Sequence, residues 1–279
     1  MRKLFMITIV TLMALLAACG SSEEEQTEEA SDESSEEVEE QVIKVAAVES
    51  PMTDVVEIAG DLLAEDGIEL ELIEMSDYIQ PNEALANEEV DATFSQHVPF
   101  MEQFNENTGS SLEDIQAIYF ANFGLYANDY DDIADLPDDI TIGIANDPSN
   151  IDRSLRLLES HGLIEFEEDG LDEYGFDDIK DGSSNYSFEE AGIATLSRLY
   201  DDVDAVIMNP THASHLELTP ADDALVTEKE DNMFAITLVA RDDNADSDLI
   251  QKLKEAMTSD DVREFLEGRE GGSAVPAFE

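Results

Sequence analysis

IKVAAVESPMTDVVEIAGDLLAEDGIELELIEM, residues 43–75, decides the fold. Ile43–Val48 is a short apolar run, the pattern of a buried strand. Thr53 can cap the helix that follows. There Val55, Ile58, Ala59, Leu62 and Leu63 recur at helical spacing, and Gly67 ends the run. Ile68–Met75 alternates with period two, as a half-buried strand does. The rhythm continues with a short helix around Asn82–Ala86, a strand over Val90–Phe94, a helix across Pro99–Asn107 and an apolar stretch through Ile118–Tyr126. This βαβαβ order predicts an α/β unit with a mainly parallel sheet and helices on both faces.

A second unit of the same kind starts near Tyr126. Strand Ile140–Ala145 is followed by a turn at Asn146-Asp147-Pro148 and a helix to His161-Gly162. Residues 165–190 are acidic and glycine-punctuated, which reads as irregular surface. Val203–Met208 and Phe234–Ala240 are further strands, and helices over about 246–257 and 259–267 close the chain. Two α/β units in one exported chain commonly mean a two-lobed binding protein, with its ligand at the carboxyl ends of the strands.

The chain has 279 residues, 42% of them hydrophobic, enough for a sizeable core. Its 13 basic and 69 acidic residues give a net charge of −56. That balance argues against nucleic-acid binding, which needs clustered Lys and Arg, and against anionic membrane surfaces. The single cysteine excludes an internal disulfide framework and a cysteine-built zinc site.

That cysteine has a place of its own. Arg2 and Lys3 precede an apolar run from Leu4 to Ala18, followed by Cys19 and Gly20. Residues 1–18 read as a secretory signal, and the stretch resembles a bacterial lipobox with Cys19 as the lipid-modified residue. The chain is then expected to be exported and anchored by lipid to the outer face of the membrane. Residues 19–42 form an acidic tether. From Gly20 to Gln41 there are eleven acids and no base, too polar to offset the entropy of ordering.

Arg153 ends a run of 108 residues without Lys or Arg. Pro148 suits the first helical position, with Asp147 or Asn146 as cap. Asn150 and Arg153 then share a face of the first two turns. A helix N-terminus, an amide and a guanidinium together suit a carboxylate. The alternative is that Arg153 simply pairs with one of the many acids of the chain.

Three motifs in order carry a resemblance. Ser76-Asp77-Tyr78-Ile79-Gln80-Pro81-Asn82, Gln96-His97-Val98-Pro99-Phe100, and Asn146-Asp147-Pro148-Ser149-Asn150 with Arg153 resemble the NlpA/MetQ lipoprotein family. The similarity runs over about 43–278 and includes the strand end Val203–Asn209. It implies a two-lobed periplasmic-binding-protein-like (type II) fold, with lobe 1 over 43–125 completed by 231–279 and lobe 2 over 126–230. The implied role is the substrate-binding subunit of a methionine ABC importer, with a permease and its ATPase as partners, no cofactor and no catalysis, working as a monomer. Residue by residue, Arg153 and Asn150 match positions that hold the ligand carboxylate. Asn209 matches an asparagine on the ligand main chain, and Tyr78 and His97 match the walls of the thioether pocket.

Three positions depart from the family pattern. Ser95 stands where a Phe is usual, and Phe100 replaces a Tyr and loses its hydroxyl. Ile236 falls where the family carries an Asn, with Asn232 as the nearby amide that could stand in. A lost polar contact to a buried charged group costs about 1.5–3 kcal/mol. L-Methionine is the first expected ligand, and a different amino acid or short peptide the alternative.

Other classes find less support. Phosphate-loop, G-x-S-x-G and H-E-x-x-H motifs are absent from the sequence. His212 and His215, three apart, could suit a metal on a helix. Asp242–Asp246 mimics the start of a calcium loop, but Ser247 and Leu253 stand at positions that need Gly and an acid, so a turn capped by Ser247 or Asp246 is expected. A surface adhesin without a small ligand is the remaining class. The acids on predicted solvent faces (Glu69, Glu71, Asp131, Asp132, Asp138, Asp139) point to a host living in high salt. Urea unfolding should accordingly show stability rising from low to multimolar salt; an unchanged midpoint would contradict this.

Overall fold

The strand expected over Ile43–Val48 forms as β1 (Gln41–Ala47), beginning inside the stretch assigned to the tether. The computed structural model describes residues 41–229 and 233–279. The signal segment, Cys19, the tether up to residue 40 and Asn232 lie outside the described residues. In chain order β1 is followed by α1 (Met52–Glu65), β2 (Ile68–Glu74), α2 (Gln80–Ala86), β3 (Ala92–His97), α3 (Val98–Thr108) and β4 (Leu112–Phe120). Next come β5 (Gly124–Ala127), β6 (Thr141–Ala145), α4 (Pro148–Ser160), β7 (Ser187–Ala191), β8 (Ala205–Met208), α5 (Pro210–Ser214), α6 (Pro220–Asp223) and β9 (Val226–Thr227). The chain closes with β10 (Ile236–Arg241), α7 (Asp248–Met257), α8 (Asp260–Glu267) and β11 (Val275–Pro276).

Two sheets result. One has the order β11-β4-β10-β3-β1-β2, the other β7-β6-β8-β5-β9. Both are mixed and not mainly parallel. β1 runs parallel to β2 and β3, and β6 parallel to β7 and β8. β10 is antiparallel to β3 and β4, and β5 antiparallel to β8 and β9. The cause is the double crossing between sheets. β5 enters with Gly124 beside Met208, and β10 with Ile236 beside His97, each at the carboxyl end of a parallel strand. A strand that starts there must run back against its neighbour. β5 already belongs to the second sheet at Gly124, two residues before the boundary drawn at 126.

Local reasons explain the other differences. α1 starts at Met52 with no side-chain cap, so Thr53 lies inside it. Its buried stripe is Met52, Val55, Val56, Ala59 and Leu63, while Ile58 and Leu62 are half-buried. Residues 187–191 of the acidic stretch form β7, an edge strand without a buried residue and so without an apolar signature. β3 is buried at every position although it carries Thr93, Ser95, Gln96 and His97. Those groups satisfy each other and their neighbours: Thr93 and Ser95 hydroxyls are 3.0 Å apart, and Gln96 and Asn82 exchange a pair of amide hydrogen bonds.

The first core joins Ile43, Val45, Phe94 and Leu238 of the sheet to Val55 and Leu253 of the helices. The second joins Ile142, Ile144 and Ile207 to Leu155 and Leu158 of α4. Among the described residues no helix is long and apolar enough to cross a membrane. Leu238, fully buried on β10 between β3 and β4, tests the first core. Leu238→Ala should cost about 2–5 kcal/mol in urea unfolding; a loss below about 1 kcal/mol would contradict this packing.

Candidate functional site

Three turns at the carboxyl ends of parallel strands have the same local construction. β3 leads to α3 through His97, β6 to α4 through Asp147, and β8 to α5 through Asn209. In each, a polar residue in extended conformation caps the helix and accepts a backbone N–H, and a proline occupies the first turn. The cap fixes where each helix starts, and so fixes His97, Asn150, Arg153 and Asn209 in space.

All seven residues singled out from the sequence line one cavity: Tyr78, Ser95, His97, Phe100, Asn150, Arg153 and Asn209. About 380 Å³ of space, part of it open to solvent, lies among them. Gln96, Ala121, Phe123, Ile193 and Ile236 complete the wall. The lining is mainly apolar, with a few polar groups at one end.

Arg153 is the charged group of that wall, and only 2% of it is exposed. Its Nε donates to Glu228 Oε1 at 2.8 Å and its Nη2 to Glu228 Oε2 at 2.6 Å, a side-on fork. Nη2 also donates to the Ala121 carbonyl at 2.8 Å. The guanidinium lies over the Phe123 ring at 3.8 Å and near the Phe234 ring at 4.9 Å. Arg153 thus pairs with an acid, the alternative drawn from the sequence, and also lines the cavity, with no hydrogen-bond partner for Nη1 among the described residues.

Hydrogen-bond logic fixes the neighbouring groups. The Phe100 N–H donates to His97 Nδ1 at 3.2 Å, so the ring proton sits on Nε2. Nε2 donates to Asn150 Oδ1 at 3.1 Å. The Asn150 amide nitrogen then donates to both oxygens of Asp147, at 3.0 and 2.9 Å. Burial, and then the Arg153 charge, lower the His97 pKa to about 3 against the pull of Asn150. His97 is thus neutral, and its bond to Asn150 joins the two sheets across the cavity. Asn150 thus has both ends of its amide engaged, its oxygen with His97 and its nitrogen with Asp147, and so orients His97.

The remaining positions shape the wall. Tyr78 Oη donates to Glu49 Oε1 at 2.8 Å and presents its ring to the cavity. Burial and the Glu49 charge push its pKa well up. Asn209 accepts the His212 N–H through Oδ1 at 2.8 Å. Phe100 meets His97 edge-on, with ring centres 6.2 Å apart. Ile236 pairs through its backbone with His97 and Tyr119 and turns its side chain into the cavity.

Sequence reading missed Glu228, Phe123 and Phe234. Glu228 is one of 69 acids with no local motif, and it meets Arg153 only because β9 returns beside β5. Among the described residues no cluster of three His, Cys, Asp or Glu has the arrangement of a metal site. His212 and His215 instead face Glu49. The Asp242–Asp246 segment is a turn, and Ser247 caps α7.

A cavity built at the carboxyl ends of parallel strands, between two α/β sheets joined by two crossings, defines a two-lobed substrate-binding protein. The model of the family described as NlpA lipoprotein matches residues 43–278, and the chain belongs to that family. The methionine-binding lipoprotein MetQ of Bacillus subtilis is 33% identical over 243 residues, spanning 85% of this chain and 88% of that protein. Among solved structures, a nutrient binding protein from Burkholderia cenocepacia bound to methionine superposes with a TM-score of 0.80 at 30% identity, over 85% of this chain and 100% of that one. Lipoprotein Tp32 from Treponema pallidum does so at 0.81 and 30% identity, with 85% and 100% covered.

The state of His97 has a consequence for stability. Its folded pKa of about 3 lies below the ordinary 6.5, so the unfolded chain binds the proton first as pH falls. Its contribution is complete above the ordinary imidazole range and declines between pH 6.5 and 3, by about 1.4 kcal/mol per pH unit. Urea unfolding of wild type and His97→Gln from about pH 7 down to pH 4.5 should show that extra slope in the wild type alone. Equal slopes would contradict a neutral His97.

Proposed function

We propose that this chain is the substrate-binding lipoprotein of an ABC importer, capturing L-methionine by lobe closure and delivering it to a permease driven by its ATPase subunit. The lobes are 43–125 with 231–279, and 126–230, hinged through crossings near 120–127 and 226–236. Cys19 carries the lipid that holds the monomer at the outer face of the membrane. The relatives named for methionine binding and the methionine-bound solved structure support the ligand.

The observation that carries the reading is Arg153, fixed at the wall of a mainly apolar cavity with Nη1 left for a ligand. Glu228 has already neutralised that arginine. A simple anion would therefore add an uncompensated charge to a buried site, at considerable cost. A zwitterionic amino acid brings its own positive charge, which Glu228 and nearby carbonyls can face. The ring of Tyr78, Phe100 and Ile236 then enclose an apolar side chain. Because Tyr78 spends its hydroxyl on Glu49, it offers the ligand a ring face, which suits a thioether. Binding is capture without chemistry: contacts made only in the closed form shift the population toward it.

Ile236 favours a second ligand reading, a different amino acid or short peptide, since an aliphatic side chain stands where the family carries an amide. Native mass spectrometry of the gently purified full chain, then calorimetric titration with L-methionine, separates the two. The expected result is one methionine per chain and a loss of roughly a hundredfold in affinity for Arg153→Ala. A different co-purified mass would replace methionine, and no response to any amino acid or short peptide would overturn the transporter role.

A further inference from the structure

At the rim of the cavity a carboxylate from one lobe meets two imidazoles from the other. Glu49 follows β1, and its Oε1 accepts the Tyr78 hydroxyl at 2.8 Å. From α5, His212 Nε2 stands 3.4 Å from Glu49 Oε1, and His215 Nε2 stands 3.5 Å from Oε2. Three-residue spacing on one helical turn is what aims both rings at one carboxylate. His212 is 1% exposed, and neither of its ring nitrogens has an aligned hydrogen-bond partner. A neutral imidazole gains little from so buried a place. A protonated one faces a carboxylate at ion-pair distance. Thr211 adds a long contact to the Ser50 carbonyl at 3.5 Å across the same junction.

We propose that Glu49 is a positioning residue for capture, orienting Tyr78 in its own lobe and binding His212 and His215 of the other so that the lobes stay closed over the ligand. The inference rests on the two-lobed capture reading. The bridge holds in full only where the imidazoles are charged and Glu49 is ionised. Burial works against the Glu49 carboxylate, but the close approach of His212, the hydrogen bond from Tyr78 and the charges of both histidines hold its pKa below the ordinary value.

The groups facing Glu49 are Tyr78 ahead of α2, Tyr119 of β4, His212 and His215 of α5, and Arg269 beyond α8, whose Nη1 is 3.4 Å from Ser50 Oγ. Tyr78 and Tyr119 are both pushed up and stay neutral. An arginine does not titrate near neutrality. His97 stays neutral, and His161 lies apart, bonded to the Thr227 carbonyl. A protonated imidazole beside an ionised Glu49 makes an ion pair and a neutral one does not, so the bridge gains from added protons, opposite in sign to the contribution of His97.

The test uses the full chain, labelled once in each lobe, with interlobe distance read by single-molecule fluorescence at about pH 5.5 and pH 8. Without ligand, the wild type should populate the closed form about fivefold more at the lower pH. Release of L-methionine should slow by a similar factor. Glu49→Gln, which keeps an acceptor for Tyr78, and the double variant His212→Gln/His215→Gln should each flatten both profiles while still melting cooperatively. If one variant fails to fold, the other decides. Unchanged profiles in a folded variant, or a flat wild type, would overturn the inference. So would closure that needs added zinc and disappears with a chelator at both pH values. The ligand-free arm stands whether or not methionine binds.

Discussion

The site depends on a single buried ion pair. Arg153 is almost fully buried because Glu228 meets it side-on, 75 residues further along the chain. Removing one member of such a pair typically costs about 3–5 kcal/mol, because the other charge is left stranded. The same Glu228 carboxylate accepts the Phe123 N–H at 2.7 Å, and its own N–H donates to the Phe123 carbonyl at 2.9 Å. Phe123 lies on the first crossing between the lobes and Glu228 on the second. The pair thus ties both crossings to the helix that brings the Arg153 guanidinium to the cavity wall.

From this anchor the other features follow in sequence. The fork to Glu228 takes up Nε and Nη2, and the guanidinium lies against the Phe123 and Phe234 rings at the cavity wall. Burial, and then the positive charge so close to it, keeps the His97 ring neutral, and the Phe100 N–H on Nδ1 leaves Nε2 to bond Asn150. Strand Ile236–Arg241 starts only two residues past Phe234, so the second crossing delivers Ile236 to the same cavity. One ion pair, one neutral histidine and two crossings account for most of the polar geometry.

Much of this was legible in the sequence because its signals are local. Asp147-Pro148 with Asn150 and Arg153 announces a capped helix start, and the βαβ rhythm of residues 43–75 survives in β1, α1 and β2. All seven expected site residues share one cavity. What escaped is non-local. Glu228 looks like any other acid until β9 pairs with β5, and the mixed sheets follow from a double crossing that periodicity does not record. The bond of the Asn150 amide to His97 on the other sheet is of the same non-local kind. Glu49 sits far in sequence from the His212 and His215 pair and meets it only where the lobes meet.

The most direct test is a crystal structure of the protein grown with L-methionine. The expected result places the ligand carboxylate on Arg153 Nη1 while Glu228 keeps Nε and Nη2, with the thioether between Tyr78 and Phe100. A carboxylate that displaces Glu228, or that binds away from Arg153, would contradict the view that a pre-neutralised arginine selects a zwitterionic ligand.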